Sequence, residues 1–370
     1  MTRILLFTPG HLEPGGAQRR SRLLAAGLAE RGWDVRVVSR AGTINRVRVT
    51  RAPNLRVVEV PGFGRRWLGA VLYAACAIPL SIVWGKRAVC AISVQLSSPS
   101  LMAAAWGLVF RRPFIALTTL TGANSDVSHV LNAPLNILRR FLLDRATFLV
   151  AQTAEGAAEL EALAPPERIE VIPSPLVAVD PAPLNGQPRA VFSGRLAEEK
   201  DLPRLLRVWL NFAEDRAGAM LTLVGEGGHY RAVEDELRSM AASNAVLART
   251  VRFTGWVPDV APYLREADVY VFPSLREGMS NALLEACAHH RIVVASDIPA
   301  NRAILGEDYP LLFRAGDSEE LAATLFRAFD DEAVRRQALA RLIPRLAGFS
   351  VETVVDRLQD LVRAADRARN

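Results

Sequence analysis

Short apolar runs alternate with longer amphipathic stretches along most of the chain. Arg3–Phe7 reads as a first strand, followed by the glycine loop Pro14-Gly15-Gly16, a helix over Ala17–Arg31 and a second strand over Asp34–Ser39. Near-continuous apolar strands joined by helices signal a parallel sheet covered on both faces. Further strands fit at 55–60, 88–94, 113–119 and 147–151. Residues 165–188 are rich in proline and poor in periodicity, which reads as a linker with the strand Ile169–Ile172 just inside it.

A second run of the same kind follows. Strands fit at Ala190–Ser193, Met220–Val224, Val251–Thr254, 268–272 and Ile292–Ala295, with helices at 201–213, 229–241, 259–265 and 279–289. The last helix, Val351–Arg367, follows Ser350 as N-cap and carries Glu352 in its first turn. The fold class is therefore α/β, with two doubly wound parallel sheets.

Composition sharpens this picture. The chain has 370 residues, half of them hydrophobic, enough for two domains with sizeable cores. Its three cysteines, Cys76, Cys90 and Cys287, show no paired spacing, and its five histidines form no cluster with them, which predicts a reducing compartment and no metal site. The first apolar run is too short for a signal peptide. The net charge of +6 conceals an asymmetry: residues 1–112 carry 17 Lys/Arg against 4 Asp/Glu. Phosphate substrates, acidic lipids and nucleic acid all suit a basic first third, and so does a plain solvated face. Trp67–Trp84 has eighteen residues without a charge, flanked by Arg65-Arg66 and Lys86-Arg87. Pro79 interrupts it, so a buried or membrane-surface helix is expected over a spanning one.

The candidate chemistry concentrates where strands end. In Glu277-Gly278-Met279-Ser280-Asn281-Ala282-Leu283-Leu284-Glu285, one carboxylate closes a strand and another lies about two turns into the next helix. Open α/β sheets bind ligands at strand carboxyl ends, and helix starts bind anions. A ligand bearing both sugar hydroxyls and phosphates suits that arrangement. Gly194-Arg195-Leu196 to Lys200 places two cations in an earlier loop, able to neutralise a diphosphate. Gly225-Glu226-Gly227 and Phe253-Thr254-Gly255-Trp256-Val257-Pro258-Asp259 end two more strands, and the backbone of the latter could meet a nucleobase edge. Each is weak alone, since ordinary tight turns also use glycine. Gly15-Gly16 matches neither a Walker loop nor a full dinucleotide fingerprint.

Taken in order, Gly-Gly, Gly-Arg-Leu-x-x-x-Lys, Gly-Glu-Gly, Phe-Thr-Gly-x-Val, Phe-Pro-Ser-x-x-Glu-Gly with Glu-Ala after it, and Ser296-Asp297-Ile298-Pro299 carry a resemblance. The chain resembles a family 4 (group 1) retaining glycosyltransferase over nearly its whole length. The resemblance implies the GT-B fold, with residues 1–172 plus the last helix (351–370) as an acceptor-side domain and 173–350 as a nucleotide-sugar domain. It implies that Arg195 and Lys200 hold the donor diphosphate, Glu277 the donor sugar and Glu285 the ribose. Gly16, Gly194, Gly225, Glu226, Trp256, Val257, Gly278, Met279, Ser280 and Asn281 would complete the donor site. The implied reaction is metal-independent transfer with retention from a nucleotide-sugar, itself a substrate, so no cofactor is expected. The implied acceptor is a glycan or lipid-linked hydroxyl in cell-surface glycan assembly, not nucleic acid. The expected location is cytoplasmic, at the inner face of the cell membrane. One position departs from the pattern: where many relatives carry His-Gly, this chain has Thr121-Gly122, so Thr121 becomes the acceptor-side candidate. Two alternatives stay open, a sugar-nucleotide epimerase or hydrolase of the same fold and a non-catalytic nucleotide-sugar-binding protein.

Overall fold

The computed structural model describes every residue except Met1, Pro14, 42–46, 62–65, 122–124, 133–135, 229–230 and 369–370, and the side chains of 41, 61, 66–72, 74 and 138. Gly122, His229 and Tyr230, singled out in the sequence, lie outside the described residues. The chain divides into two compact units, Met1–Pro175 with Phe349–Asn370, and Leu176–Gly348.

The first unit runs β1 (Arg3–Pro9), α1 (Gly16–Glu30), β2 (Asp34–Ala41), β3 (Arg48–Ala52), β4 (Leu55–Pro61), α2 (Arg66–Gly85), β5 (Ala88–Val94), α3 (Ser98–Phe110), β6 (Phe114–Leu117), α4 (Asp126–Leu131), α5 (Asn136–Leu143), β7 (Phe148–Ala151), α6 (Ala154–Leu160) and β8 (Ile169–Val171). Among the described residues its sheet has the order β3-β4-β2-β1-β5-β6-β7-β8. All pairs are parallel except the exposed edge strand β3, which runs antiparallel to β4. β1 is a continuous apolar run because both its faces are covered. Leu5 and Phe7 pack toward Tyr73, Ala77 and Trp84 of α2 and Trp106 of α3. Ile4 and Leu6 pack toward Leu24 and Leu28 of α1.

That second face is completed from the far end of the chain. The last helix (Val351–Arg367) lays Val354, Val355, Leu358 and Val362 against α1. Ser350 Oγ accepts from Thr353 N at 3.1 Å, the expected N-cap, and Arg31 Nε reaches Asp356 at 2.7 Å. A Cβ on Gly27 would lie 2.6 Å from Val355 Cγ2, so a glycine permits the approach of the two helices.

The 67–84 segment forms α2, with Pro79 inside the helix. Its inner residues Tyr73, Ala77 and Trp84 join the core, while Ile78, Ile82 and Val83 face outward. Among the described residues, no helix is long and apolar enough to cross a membrane.

The second unit runs β9 (Arg189–Ser193), α7 (Leu202–Ala213), β10 (Met220–Val224), α8 (Arg231–Ala242), α9 (Ala245–Thr250), β11 (Val251–Gly255), α10 (Ala261–Glu266), β12 (Val269–Phe272), α11 (Asn281–Ala288), β13 (Ile292–Ser296), α12 (Pro299–Leu305), β14 (Leu312–Phe313), α13 (Ser318–Asp330) and α14 (Glu332–Leu346). The last helix of the chain, named above, is α15. The strand order is β11-β10-β9-β12-β13-β14 among the described residues. Successive strands leave β9 in one direction as far as β11 and then resume on its other side with β12. The boundary between β9 and β12 is therefore the topological switch point, where open α/β sheets hold ligands.

Candidate active site

β9 and β12 pair over only two positions, Val269 with Ala190 and Tyr270 with Val191. Beyond them the strands part, and the loops that follow converge above the gap. Tyr270 is fully buried there, and its hydroxyl donates to the Ser193 carbonyl at 3.2 Å. Burial drives the phenol well above its ordinary pKa, so it stays protonated and serves as a fixed donor.

Over this gap Lys200 Nζ donates to Glu277 Oε1 in an ion pair. Both side chains are about nine-tenths buried, at 11% and 12% exposure. Lys200 closes the single turn Glu198–Lys200 after β9, and Glu277 follows β12. The two loops are also joined by backbone, Leu275 N donating to Glu199 O at 2.8 Å. Lys200 Nζ lies 5.2 Å above the Phe272 ring, which helps hold the ammonium in place. Arg195, the other cation of that loop, has 65% of its side chain exposed and pairs with Glu199 at 3.6 Å.

The helix after Glu277 begins later than the sequence pattern predicts. Ser280 is its N-cap, with Oγ accepting from Leu283 N at 3.2 Å, and the first helical residue is Asn281. A serine that bonds its own helix start competes with an earlier helical turn. The amides of Asn281 and Ala282 therefore join that of Ser280 as helix-start donors that no helical carbonyl can serve, while Leu283's is taken by the Ser280 hydroxyl. The Met279 side chain is buried. Glu285 is the fifth residue of α11, a little over one turn in rather than two, and is half-buried.

Two further strand ends fit against this loop. Leu196 N donates to Glu226 O at 3.0 Å and Gly194 N to Val224 O at 3.0 Å. A Cβ on Gly225 would sit 2.0 Å from the Gly194 carbonyl oxygen, and Gly225 has φ 135°, so only glycine closes this contact. Gly225 N donates in turn to Gly255 O at 2.9 Å. Trp256 beyond it is 58% exposed and Val257 half-buried. The chain thus presents a shelf of strand-end backbone beside the Lys200–Glu277 pair.

In the first unit, α1 starts at Gly16, immediately after Gly15 with φ 140°. Arg20, one turn into α1, is fully buried and donates to Thr118 O at 2.8 Å and Ile172 O at 3.0 Å. Burial brings its pKa down to about 10, and Asp126 partly offsets this. Asp126 Oδ2 accepts from Thr119 N at 2.6 Å and Leu120 N at 3.3 Å, shaping the segment that leads to Thr121. Burial raises the Asp126 pKa against those bonds. Thr121 is half-buried, and its Cγ2 would lie 2.8 Å from a Cβ on Gly156, so its methyl leans on the first turn of α6. His11 is buried after β1, sharing a hydrogen bond with Ser21 Oγ at 2.9 Å. Burial, then the nearby Arg22, depresses its pKa to about 4.

Tyr270, Arg20 and Asp126 escape a sequence reading. Arg20 follows Arg19 and resembles one of many surface cations; only its position one turn past Gly16, on the inner face of α1, distinguishes it. Among the described residues, no group of His, Cys, Asp or Glu is placed to hold a metal ion.

Comparison with known proteins bears on the family and the fold. A family model described as "Glycosyl transferase 4-like domain" matches residues 15–175, and one described as "Glycosyl transferases group 1" matches residues 187–331. The chain belongs to the group 1 glycosyltransferases and has the GT-B fold. It is similar to the lipopolysaccharide core biosynthesis glycosyltransferase LpsE of Rhizobium meliloti, 29% identical over 192 residues, or 50% of this chain and 54% of that protein. It is 26% identical over 144 residues to an Escherichia coli UDP-Gal:alpha-D-GlcNAc-diphosphoundecaprenol alpha-1,3-galactosyltransferase, covering 39% of this chain and 36% of that one. The matched regions thus span about half of the first relative's length and about a third of the second's. Among solved structures, sucrose-phosphate synthase from Thermosynechococcus elongatus aligns over 100% of both chains with TM-score 0.78 at 18% identity. Anabaena HepE in complex with UDP-glucose aligns over 98% of this chain and 99% of its own, with TM-score 0.73 at 15% identity.

Proposed function

We propose that this chain transfers a sugar from a nucleotide-sugar to an acceptor hydroxyl with retention, forming an α-linkage during cell-surface glycan assembly. The observation that carries the reading is the buried Lys200–Glu277 pair at the switch point, beside the start of α11. A carboxylate there suits sugar hydroxyls, and the ammonium and helix amides suit a diphosphate. Relatives named for lipopolysaccharide core and for a diphosphoundecaprenol-linked acceptor support a lipid-linked or polysaccharide acceptor.

In this reading the sugar–phosphate bond lengthens first. Positive charge grows at the sugar while negative charge grows on the diphosphate. Lys200, Arg195 and the Asn281 and Ala282 amides stabilise the developing anion, so the reaction requires no metal ion. Glu277 holds the sugar hydroxyls and Glu285 the ribose. The acceptor oxygen attacks from the face the diphosphate leaves, and a diphosphate oxygen takes its proton. Gly16 is the first unit's candidate for a donor phosphate, and Thr121 its candidate hydroxyl for the acceptor.

A thermal-shift panel of nucleotide-sugars tests the donor, since a ligand that binds only the folded chain raises its melting temperature. The stabilising donor is then assayed for transfer with wild type and Glu277→Ala. Unchanged transfer in the variant overturns the assignment. Donor binding without turnover on any acceptor favours a binding protein, the reading prompted by Thr121.

A further inference from the structure

Three arginines stand in one cross-strand row of the first sheet. Arg36 of β2 pairs in register with Arg56 of β4, and Arg56 with Arg51 of β3. Residues paired in this way share a face of the sheet, here the face of Leu5, Val38 and Val58 that α2 covers. With adjacent strands about 4.8 Å apart, the row spans about 10 Å. Like charges set directly opposite one another destabilise a sheet, and this row sets two such pairs side by side.

The surrounding chain does little to neutralise the row. Asp34 pairs with Arg36 at 2.7 Å, but it also serves Arg3 at 2.7 Å. Among the described residues, neither Arg51 nor Arg56 has an ion-pair partner. Nε of Arg36 and Nε of Arg56 are both buried without a hydrogen-bond partner. An aromatic ring holds these two groups instead. Their Cζ atoms lie 5.9 and 5.5 Å from the centre of the Trp84 ring, near the end of α2. The Trp84 carbonyl accepts from Arg3 Nη1 at 3.2 Å, which ties that end of the helix to β1. A merely solvated basic face needs no such support. Charge on an edge strand discourages edge pairing, which accounts for Arg51. Arg56 and Arg36 lie one and two strands farther in, where that purpose does not apply.

We infer that this row binds an oligophosphate, two or more linked phosphate groups, carried by a soluble molecule. A guanidinium fork matches phosphate oxygens through two parallel bonds, and three forks spread over about 10 Å suit linked phosphates better than a single one. Arg51, exposed on the edge strand, leaves one end of the row open to a ligand. Position separates this site from the proposed reaction. Arg36 is the third residue of β2 and Arg56 the second of β4, so the row lies near the amino ends of these strands. Donor chemistry in open α/β sheets belongs at the carboxyl ends. The inference goes beyond the proposed reaction, and its test uses no sugar donor, so the two fail separately.

The test is titration calorimetry of the full chain with inorganic triphosphate, with inorganic monophosphate and with phosphatidylglycerol vesicles, all at one ionic strength. Wild type is expected to bind triphosphate at least about tenfold more tightly than monophosphate. Arg56→Gln and Arg51→Gln should each weaken the triphosphate by about tenfold or more. Arg51 is exposed, so its variant leaves the core intact and decides the matter should Arg56→Gln fold poorly. Without phosphate, Arg51→Gln should melt no lower than wild type, since it relieves a like-charge pair. The inference is overturned if triphosphate does not bind, or binds no better than monophosphate. It is overturned too if Arg51→Gln binds triphosphate as wild type does, which would place the binding at the cations of the second unit. A response to the vesicles with none to triphosphate also overturns it, and would make the row a contact for lipid headgroups.

Discussion

Lys200 and Glu277 lie 77 positions apart in sequence and form one buried ion pair that ties the loop after β9 to the loop after β12. Removing either partner strands the other charge in a site about nine-tenths buried. Glu277→Gln or Lys200→Met should each cost about 3 kcal/mol of stability. The double variant should cost less than the sum, with a coupling of about 1–3 kcal/mol in a urea-unfolding cycle. Simple additivity would mean that the contact does not hold the loops. Each single variant should also lower transfer by about a hundredfold or more, since both groups face the reacting sugar-phosphate in the proposed reaction.

Two glycines of the strand-end shelf make contrasting predictions. Gly225 has φ 135° and no room for a Cβ beside the Gly194 carbonyl, whereas Gly255 has φ 70° and nothing within 4 Å of its Cβ position. Gly255→Ala should cost about 1 kcal/mol, the left-handed penalty alone. Gly225→Ala should cost at least about 2 kcal/mol more, because the backbone of two strand ends must separate. Chemical denaturation of the two variants side by side measures the difference, and equal losses would refute the close approach.

His11 gives a pH signature. Its pKa falls from an ordinary 6.5 to about 4 in the fold, so the unfolded chain binds the proton more readily. Between those values the unfolded state carries the extra proton, and stability must fall as pH falls. The whole window amounts to roughly 3 kcal/mol for this one group. Asp126, whose pKa burial raises, contributes with the opposite sign. Subtracting the profile of His11→Asn from that of wild type isolates the histidine, and a difference flat from pH 7 to pH 4 would contradict its burial as a neutral ring.

Gly27 and Val355 test the contact of α1 with α15. Alanine at an interior helix position ordinarily gains about 1 kcal/mol over glycine. Here the added carbon would meet Val355 Cγ2 at 2.6 Å, so Gly27→Ala should instead lose about 1–2 kcal/mol. In Gly27→Ala/Val355→Ala the new methyl has room, and the pair should be more stable than the two single losses predict. Thermal melts of the three variants decide it.

The central strands were largely legible because each is buried on both faces and therefore reads as an unbroken apolar run, as β1 and β12 do. The helix α3 was not, because Ser98–Phe110 is apolar on its outer side as well and shows no amphipathic period. The antiparallel β3 was hidden for the reverse reason, since an edge strand exposed throughout has no buried face to set an alternation. Helices α12 to α14 went unassigned although Asp317 caps α13 by accepting from Glu319 N and Glu320 N, a start signal present in the sequence. At the site, Glu277, Lys200 and the strand-end glycines could be named from local motifs. Their pairing could not, because an ion pair between two loops depends on which strands become neighbours. The start of α11 moved by two residues because a single serine hydroxyl outweighs propensity there.

The dependence of the first unit on α15 also sets a timetable for synthesis. The strands through β8 leave the ribosome with the α1 side of their core still lacking Val354, Val355, Leu358 and Val362, for the helix that carries them begins at Val351. At ordinary elongation rates the gap lasts roughly ten to forty seconds. During it, residues 176–348 can complete their own contiguous sheet, so the half of the protein that is made first is finished last. An apolar helix face left open that long is a natural target for a holding chaperone, and a stop codon ahead of Val351 would damage the amino-terminal half before the half that it shortens.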